Sequence, residues 1–316
     1  MHPLGAHVTK AVLLHKSGSI YDDVPWERYH FPKRAYLKAM CETVGDWIVY
    51  YEPMGSGASR KGRQAYFAVA QVDRIEDDPR DSSHAYAFMR PLSYQELASP
   101  VPMVGDRGHY ELALEKPDGT TNGGLRQRAV RRISDLEFNA ILRAGFAVPL
   151  RAFQEDKTAS ISGFAEEQAR YERPVIEQLL RRPLRDAAFR EGVLRAYDST
   201  CAFTGLRIIN GGGRAEVDAA HIRPVGDNHG GSDSIRNGLA LSKTMHWLFD
   251  RGIVAISNEF EILQSPGRLP DQIRGLLNRD GMICVPARPS ERPHPDFLAY
   301  HRGMFEEEYG RFQPLS

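Results

Sequence analysis

The sequence predicts an α+β protein of two domains, the second built around a compact ββα arrangement. Three observations predict it. Helical and strand spacings are mixed through the first ~150 residues. A polar stretch without clear periodicity follows over 151–175. The segment from Cys201 to Leu263 then sets histidines, an asparagine and aspartates among short apolar blocks. These shifts place a first domain at 1–150, a linker at 151–180 and a second domain at 181–316. That division agrees with ~100–200 residues per domain.

In the first domain, Pro32 to Val44 has helical spacing, with Leu37, Met40, Cys41 and Val44 on one face. Asp46 to Tyr51 and Tyr66 to Ile75 are apolar, β-branched and aromatic, and read as strands. Gly55, Ser56 and Gly57 mark the loop between them, and His84 to Arg90 is a third strand. Ser134 to Ala144 opens with a capping box, Ser134 with Glu137 three residues on. In the second domain, Arg185 to Tyr197 reads as an amphipathic helix with Phe189, Val193, Leu194 and Tyr197 on one side. Val217 to Ile222 reads as a strand that ends before Pro224, and Ser242 to Phe249 as a short helix capped by Ser242. Pro270 to Asn278 and Phe297 to Tyr309 are further helices, separated by an extended, proline-rich run from Pro286 to Pro295.

Composition excludes several classes. The chain has 316 residues, 41% hydrophobic and 26% charged, which is ordinary for a globular protein. The apolar runs are too short to span a membrane or to form the core of a secretory signal. Cys41, Cys201 and Cys284 are odd in number and far apart, with no CxxC pair. That argues against a disulfide framework or a zinc ribbon and fits a reducing cytoplasm. The formal net charge is zero, so a nucleic-acid partner needs a local basic surface. Arg126, Arg128, Arg131 and Arg132 are one candidate run for phosphate contact.

Three blocks carry chemistry: Val217-Asp218-Ala219-Ala220-His221-Ile222, Asn237-Gly238-Leu239-Ala240-Leu241 and His246-Trp247-Leu248-Phe249-Asp250-Arg251-Gly252. A neutral histidine suits the task of a general base at physiological pH. A carboxylate with a second histidine suits a divalent metal. Base, metal and a group for the leaving oxygen are what hydrolysis of a phosphodiester requires. A hairpin, a loop carrying Asn237 and a helix carrying His246 would bring these groups together. His229, set among Gly, Asn and Asp, reads as loop surface.

These blocks resemble the HNH nucleases of the ββα-metal fold, and Arg185 to Gly205 looks like the entry to that domain. The resemblance implies that His221 is the general base, that Asn237 orients it or braces the loop, and that His246 is a metal ligand. Many relatives place an aspartate directly before the base; here Ala220 stands there. Asp218, two residues earlier, is therefore assigned as the second ligand. Asp250, four residues after His246, is read as a local cap or salt-bridge partner.

Tyr29-His30-Phe31-Pro32, Gly45-Asp46-Trp47-Ile48-Val49-Tyr50-Tyr51-Glu52-Pro53 and Ala65-Tyr66-Phe67-Ala68-Val69-Ala70 form a second pattern. It is similar to EVE and related PUA-like domains, which implies a mixed β-barrel with a pocket for a flipped, modified base. Aromatic faces stack on such a base and polar groups read its edge. Trp26, Tyr29, His30, Phe31, Tyr51 and Glu52 are the candidates, whereas Trp47, Tyr50 and Phe67 read as sheet core.

Together the two resemblances imply a modification-dependent restriction endonuclease that hydrolyses DNA near modified cytosine. Its expected partners are double-stranded, modified DNA and a second copy of the chain, with no membrane. The expected cofactor is Mg²⁺ or Mn²⁺, with Ni²⁺ or Co²⁺ as substitutes at a histidine-containing site. The alternatives are a non-cutting reader of modified nucleic acid and a non-specific HNH defence nuclease.

Overall fold

A computed structural model describes residues 9–16, 21–53, 63–106, 108–147, 182–226 and 229–315. The loop at Gly55 to Gly57 and the linker placed at 151–180 lie outside them. The chain divides into two compact units, Met1–Ala188 and Phe189–Ser316. Among the described residues no helix is long and apolar enough to cross a membrane.

The first unit is organised by one large sheet. Its elements are β1 (Lys10–Leu14), β2 (Arg28–Pro32), α1 (Lys33–Cys41), β3 (Trp47–Glu52), β4 (Ala65–Asp77), β5 (His84–Met89) and β6 (Gln95–Pro102). A small ribbon follows, β7 (Val104–Gly105) with β8 (Gly108–His109), then α2 (Gly123–Arg126), β9 (Val130–Ile133) and α3 (Asp135–Gly145). The strand order is β2-β5-β4-β3-β1-β9, with β6 also on β4. β3 is buried on both faces because its alternate residues serve two cores. Ile48 and Tyr50 join Leu13, Phe31 and Met40; Val49 and Tyr51 join Val12, Tyr66 and Phe138. The capping box forms at α3: Ser134 Oγ accepts from Glu137 N at 3.3 Å, and Glu137 Oε2 accepts from Ser134 N at 2.6 Å.

The closed barrel implied by the second sequence pattern is not found among the described residues. Closure needs the end strands to pair, and β2 and β9 stand at opposite ends of the order without pairing to each other. The architecture shown is mixed α+β with an open sheet. The arginine run is also not a free basic face. Arg131 is buried and donates to both oxygens of Glu111, at 2.7 and 2.8 Å, and Arg132 Nε donates to Glu42 at 2.6 Å.

The second unit takes in α4 (Arg182–Ala196) from Phe189 on. The hairpin β10 (Asp218–His221) and β11 (Gly238–Leu241) follows, then α5 (Lys243–Phe249). After these come β12 (Val254–Ile256), β13 (Ile262–Gln264), α6 (Asp271–Arg274), α7 (Pro295–Tyr309) and β14 (Gln313–Pro314). The helix expected from Pro270 to Asn278 is thus a single turn, and its C-cap is Gly275. Gly252 has φ +61°, and a Cβ there would lie 2.3 Å from the Phe305 ring, so both backbone and space require glycine.

α7 is anchored by His301, which is 3% exposed. Its Nε2–H donates to Phe249 O at 2.9 Å, and its ring stacks on Phe249 at 3.7 Å. Burial pushes the imidazole pKa down to about 4 from its ordinary 6.5. The unfolded chain therefore binds the extra proton first as pH falls. His301 contributes stability that is present above pH ~6.5 and is lost down to pH ~4, about 3 kcal/mol in all. Thermal unfolding followed from pH 7 to pH 4 should show that loss, and His301→Gln should flatten it. An equal slope in the variant would assign the pH dependence elsewhere.

Candidate active site

β10 and β11 pair in antiparallel register, His221 opposite Gly238 and Asp218 opposite Leu241. The hairpin lies directly on α4. A Cβ at Gly238 would sit 2.4 Å from Val193 Cγ2 and 3.1 Å from Phe189 Cζ, so only glycine allows the approach. That approach seats the His221 ring flat on the Phe189 ring, 3.8 Å between centroids and 3° from parallel. His221 Nε2 lies 3.1 Å from Asp233 Oδ1, and the Asp233 side chain is 3% exposed. An ionised carboxylate can only accept, so Nε2 carries the hydrogen, which in the neutral ring leaves the lone pair on Nδ1. The His221 side chain is 26% exposed, so the ring edge reaches solvent.

Asn237 is fully buried at the end of the single 3₁₀ turn Ile235–Asn237. Its Oδ1 accepts from Arg223 N at 2.8 Å, and its Nδ2 donates to Arg223 O and Ser232 O, both at 2.9 Å. Its own carbonyl accepts from Ile222 N at 2.8 Å. The side chain is thus spent on clipping the two ends of the loop after β10 together. It braces the loop that delivers Asp233.

His246 sits within α5, whose N-cap Ser242 accepts from Met245 N at 3.4 Å. Its ring is one-third exposed, and Nε2 lies 3.4 Å from Asp250 Oδ2. Asp218 is exposed, and its Oδ1 accepts from Arg190 Nε at 2.7 Å and from Ala219 N at 2.9 Å. No group of three or more His, Cys, Asp or Glu side chains that could hold a metal occurs among the described residues. Asp218, expected as the second metal ligand, is engaged by Arg190, and the carboxylate beside His246 is Asp250. One imidazole nitrogen and one carboxylate oxygen side by side fit a divalent ion that keeps waters and takes substrate oxygens as its remaining ligands.

Two partners escape a reading of the sequence. Asp233 lies in a Gly-Gly-Ser-Asp-Ser stretch that signals only a turn, and its one hint is a carboxylate four residues before Asn237. Phe189 is legible as an apolar helix position, but not as the platform for His221. His229, read as loop surface, meets Tyr300: its Nδ1 is 2.9 Å from the Tyr300 hydroxyl.

In the first unit the six pocket candidates do not converge. Tyr29 and Phe31 are 3% and 0% exposed and join the core around Ile48, with Trp26 packed against it. Tyr51, 4% exposed, belongs to the opposite core. Glu52 is buried and meets Arg63 Nε at 3.3 Å. His30, between Tyr29 and Phe31, points the other way, where it stacks on Tyr86 at 4.5 Å with Nε2 3.1 Å from Asp78. Strand alternation divides these aromatics between the two faces of the sheet.

Residues 201–257 match the HNH endonuclease family. That segment is an HNH endonuclease domain. A solved structure described as a modification-dependent TagI restriction endonuclease is similar at 27% identity, with a TM-score of 0.31. The likeness covers 39% of this chain and 39% of that one, so well under half of either protein is compared. No curated protein matches the chain.

Proposed function

We propose that the second unit hydrolyses phosphodiester bonds of double-stranded DNA with a divalent metal, and that the first unit directs it to DNA carrying modified cytosine. The observation that supports the chemistry best is the His221–Asp233 pair inside the HNH-matching segment. Asp233 holds Nε2, so Nδ1 takes the proton from the attacking water. Stacking on Phe189 fixes the plane of the ring. Asn237 keeps the Asp233 loop closed. His246, with Asp250 beside it, would hold Mg²⁺, Mn²⁺, Ni²⁺ or Co²⁺. Such an ion, when bound, supplies charge neutralisation at the phosphate. Cutting both strands calls for two centres, so two copies of the chain act on one DNA. The reading places the protein in the cytoplasm, where its DNA substrate is met.

The assignment of modified cytosine is supported by the sequence pattern of β2, α1, β3 and β4, and not by a pocket at Tyr29. Digestion of matched DNAs tests it, with cytosine unmodified, methylated, hydroxymethylated or glucosylated, in each metal and in EDTA. Cleavage is expected on a modified DNA only, and none in EDTA. Equal cleavage of unmodified DNA removes the reader but keeps the nuclease. Absence of cleavage with every metal removes the nuclease.

Asp233→Asn is expected to lower the cleavage rate roughly 10–100-fold, because an amide no longer dictates which ring nitrogen carries the proton. Single-turnover rates, with far-UV circular dichroism as the control for folding, read this out. A wild-type rate would show that His221 needs no orienting carboxylate.

A further inference from the structure

Beside the Asp218 end of β10 lies a cavity of about 440 Å³, open to solvent. Its charged and polar lining is Arg190, Asn210, Arg214, Glu216, Asp218 and Lys243. None of these groups is used by the hydrolytic centre described above.

The cations are deliberately placed and unequally compensated. Arg190 is matched by Asp218. Glu216 spends Oε1 on the backbone N–H of Lys243, at 3.3 Å, and so supports the start of α5 rather than a cationic side chain. Arg214 is carried on a built turn: Asn210 Oδ1 accepts from Gly212 N at 3.0 Å and from Arg214 N at 2.9 Å, and Arg214 O accepts from Asn210 N at 3.0 Å. Among the described residues no ion pair forms at the Arg214 guanidinium or the Lys243 ammonium. The groove therefore carries three cations against two carboxylates, a net charge of +1, with Arg214 and Lys243 outside any ion pair among the described residues.

We propose that this groove seats a backbone phosphate of the duplex DNA substrate, with Arg214 and Lys243 as the anion ligands and Asp218 as the counter-charge that restrains Arg190. The inference rests on the nuclease reading and adds to it the place where the cut strand continues. Asp218 and His221 are three residues apart on one strand, about 10 Å. That distance is about three base-pair rises, so a strand with one phosphate at His221 has another within reach of the groove. Arginine offers a planar fork and lysine a point charge, the two donors suited to phosphate oxygens. Neither reads a base, so the contact sets register and affinity, not sequence.

The test is binding of a short fluorescent duplex by full-length protein in EDTA, measured by anisotropy across a salt series. Arg214→Ala with Lys243→Ala is expected to weaken binding roughly tenfold at low salt and to make the log–log salt slope shallower by roughly 0.9, as one phosphate no longer neutralised requires. Arg214→Lys with Lys243→Arg keeps the charges and should restore the slope, which separates lost contacts from misfolding. Asp218→Asn frees Arg190 and should tighten binding. Wild-type affinity and slope in the double alanine variant overturn the proposal, as does weaker binding by Asp218→Asn. Plasmid nicking by the wild type with metal is read in parallel. Nicking with unaltered binding in the double variant removes the groove alone. Altered binding without any nicking removes the nuclease reading and leaves the groove.

Discussion

His221→Ala is expected to lower DNA cleavage roughly 10²–10⁴-fold, the usual contribution of a positioned general base. The effect follows from three contacts acting on one ring. The Phe189 stack at 3.8 Å sets its plane, Asp233 at 3.1 Å sets its tautomer, and the partial exposure admits water. Alanine removes the base and also takes a partner from a carboxylate that is 3% exposed. Some loss of stability therefore accompanies the loss of rate, since a buried charge that loses a partner is costly. His221→Gln is the cleaner companion, because its amide can still donate to Asp233 while being useless as a base. Single-turnover cleavage and urea unfolding, measured together on both variants, separate the two effects. Wild-type rates in a folded His221→Gln protein would place the base elsewhere.

Asn237→Ala should affect both stability and activity. The side chain, itself fully buried, serves one backbone N–H and two backbone carbonyls. Each buried group left unpaired costs about 1–3 kcal/mol. A total of a few kcal/mol is expected, less than the simple sum because all three contacts belong to one loop. Cleavage should fall as well, since the released loop is the one that carries Asp233. Asn237→Asp should be worse, because it sets a carboxylate against the carbonyls of Arg223 and Ser232 where an amide N–H now donates. Urea midpoints and cleavage rates check both. A variant of wild-type stability that has lost cleavage would show that Asn237 meets the substrate and does not merely hold the loop.

Both predictions concern residues that stand out in the chain itself. The hairpin, the helix carrying His246 and the capped helix at Ser134 are all legible because period, cap and turn residues lie within a few positions of each other. The likeness to HNH nucleases rests on the same local blocks, and residues 201–257 match that family. The aromatics of the first unit show the opposite case. Tyr29, Phe31 and Tyr51 have the right chemistry to stack on a base, and the same chemistry makes them good sheet core. Their residue type leaves that choice open, and the packing of β2 and β3 against two separate cores makes it.

The sequence by itself determined the types of the most regular elements, the existence of an HNH segment and the placing of His221 at a strand end and His246 on a helix. These depend on spacing along one chain. Only the tertiary structure decided that Asp233 is the partner of His221, that Asp218 is held by Arg190 and that the large sheet stays open. Each of those outcomes joins groups from different elements, and their distance is set by how helices and strands pack, not by position in sequence. A carboxylate twelve residues from its histidine and another twenty-eight from its arginine carry no mark of those partners until the fold brings them within hydrogen-bond reach.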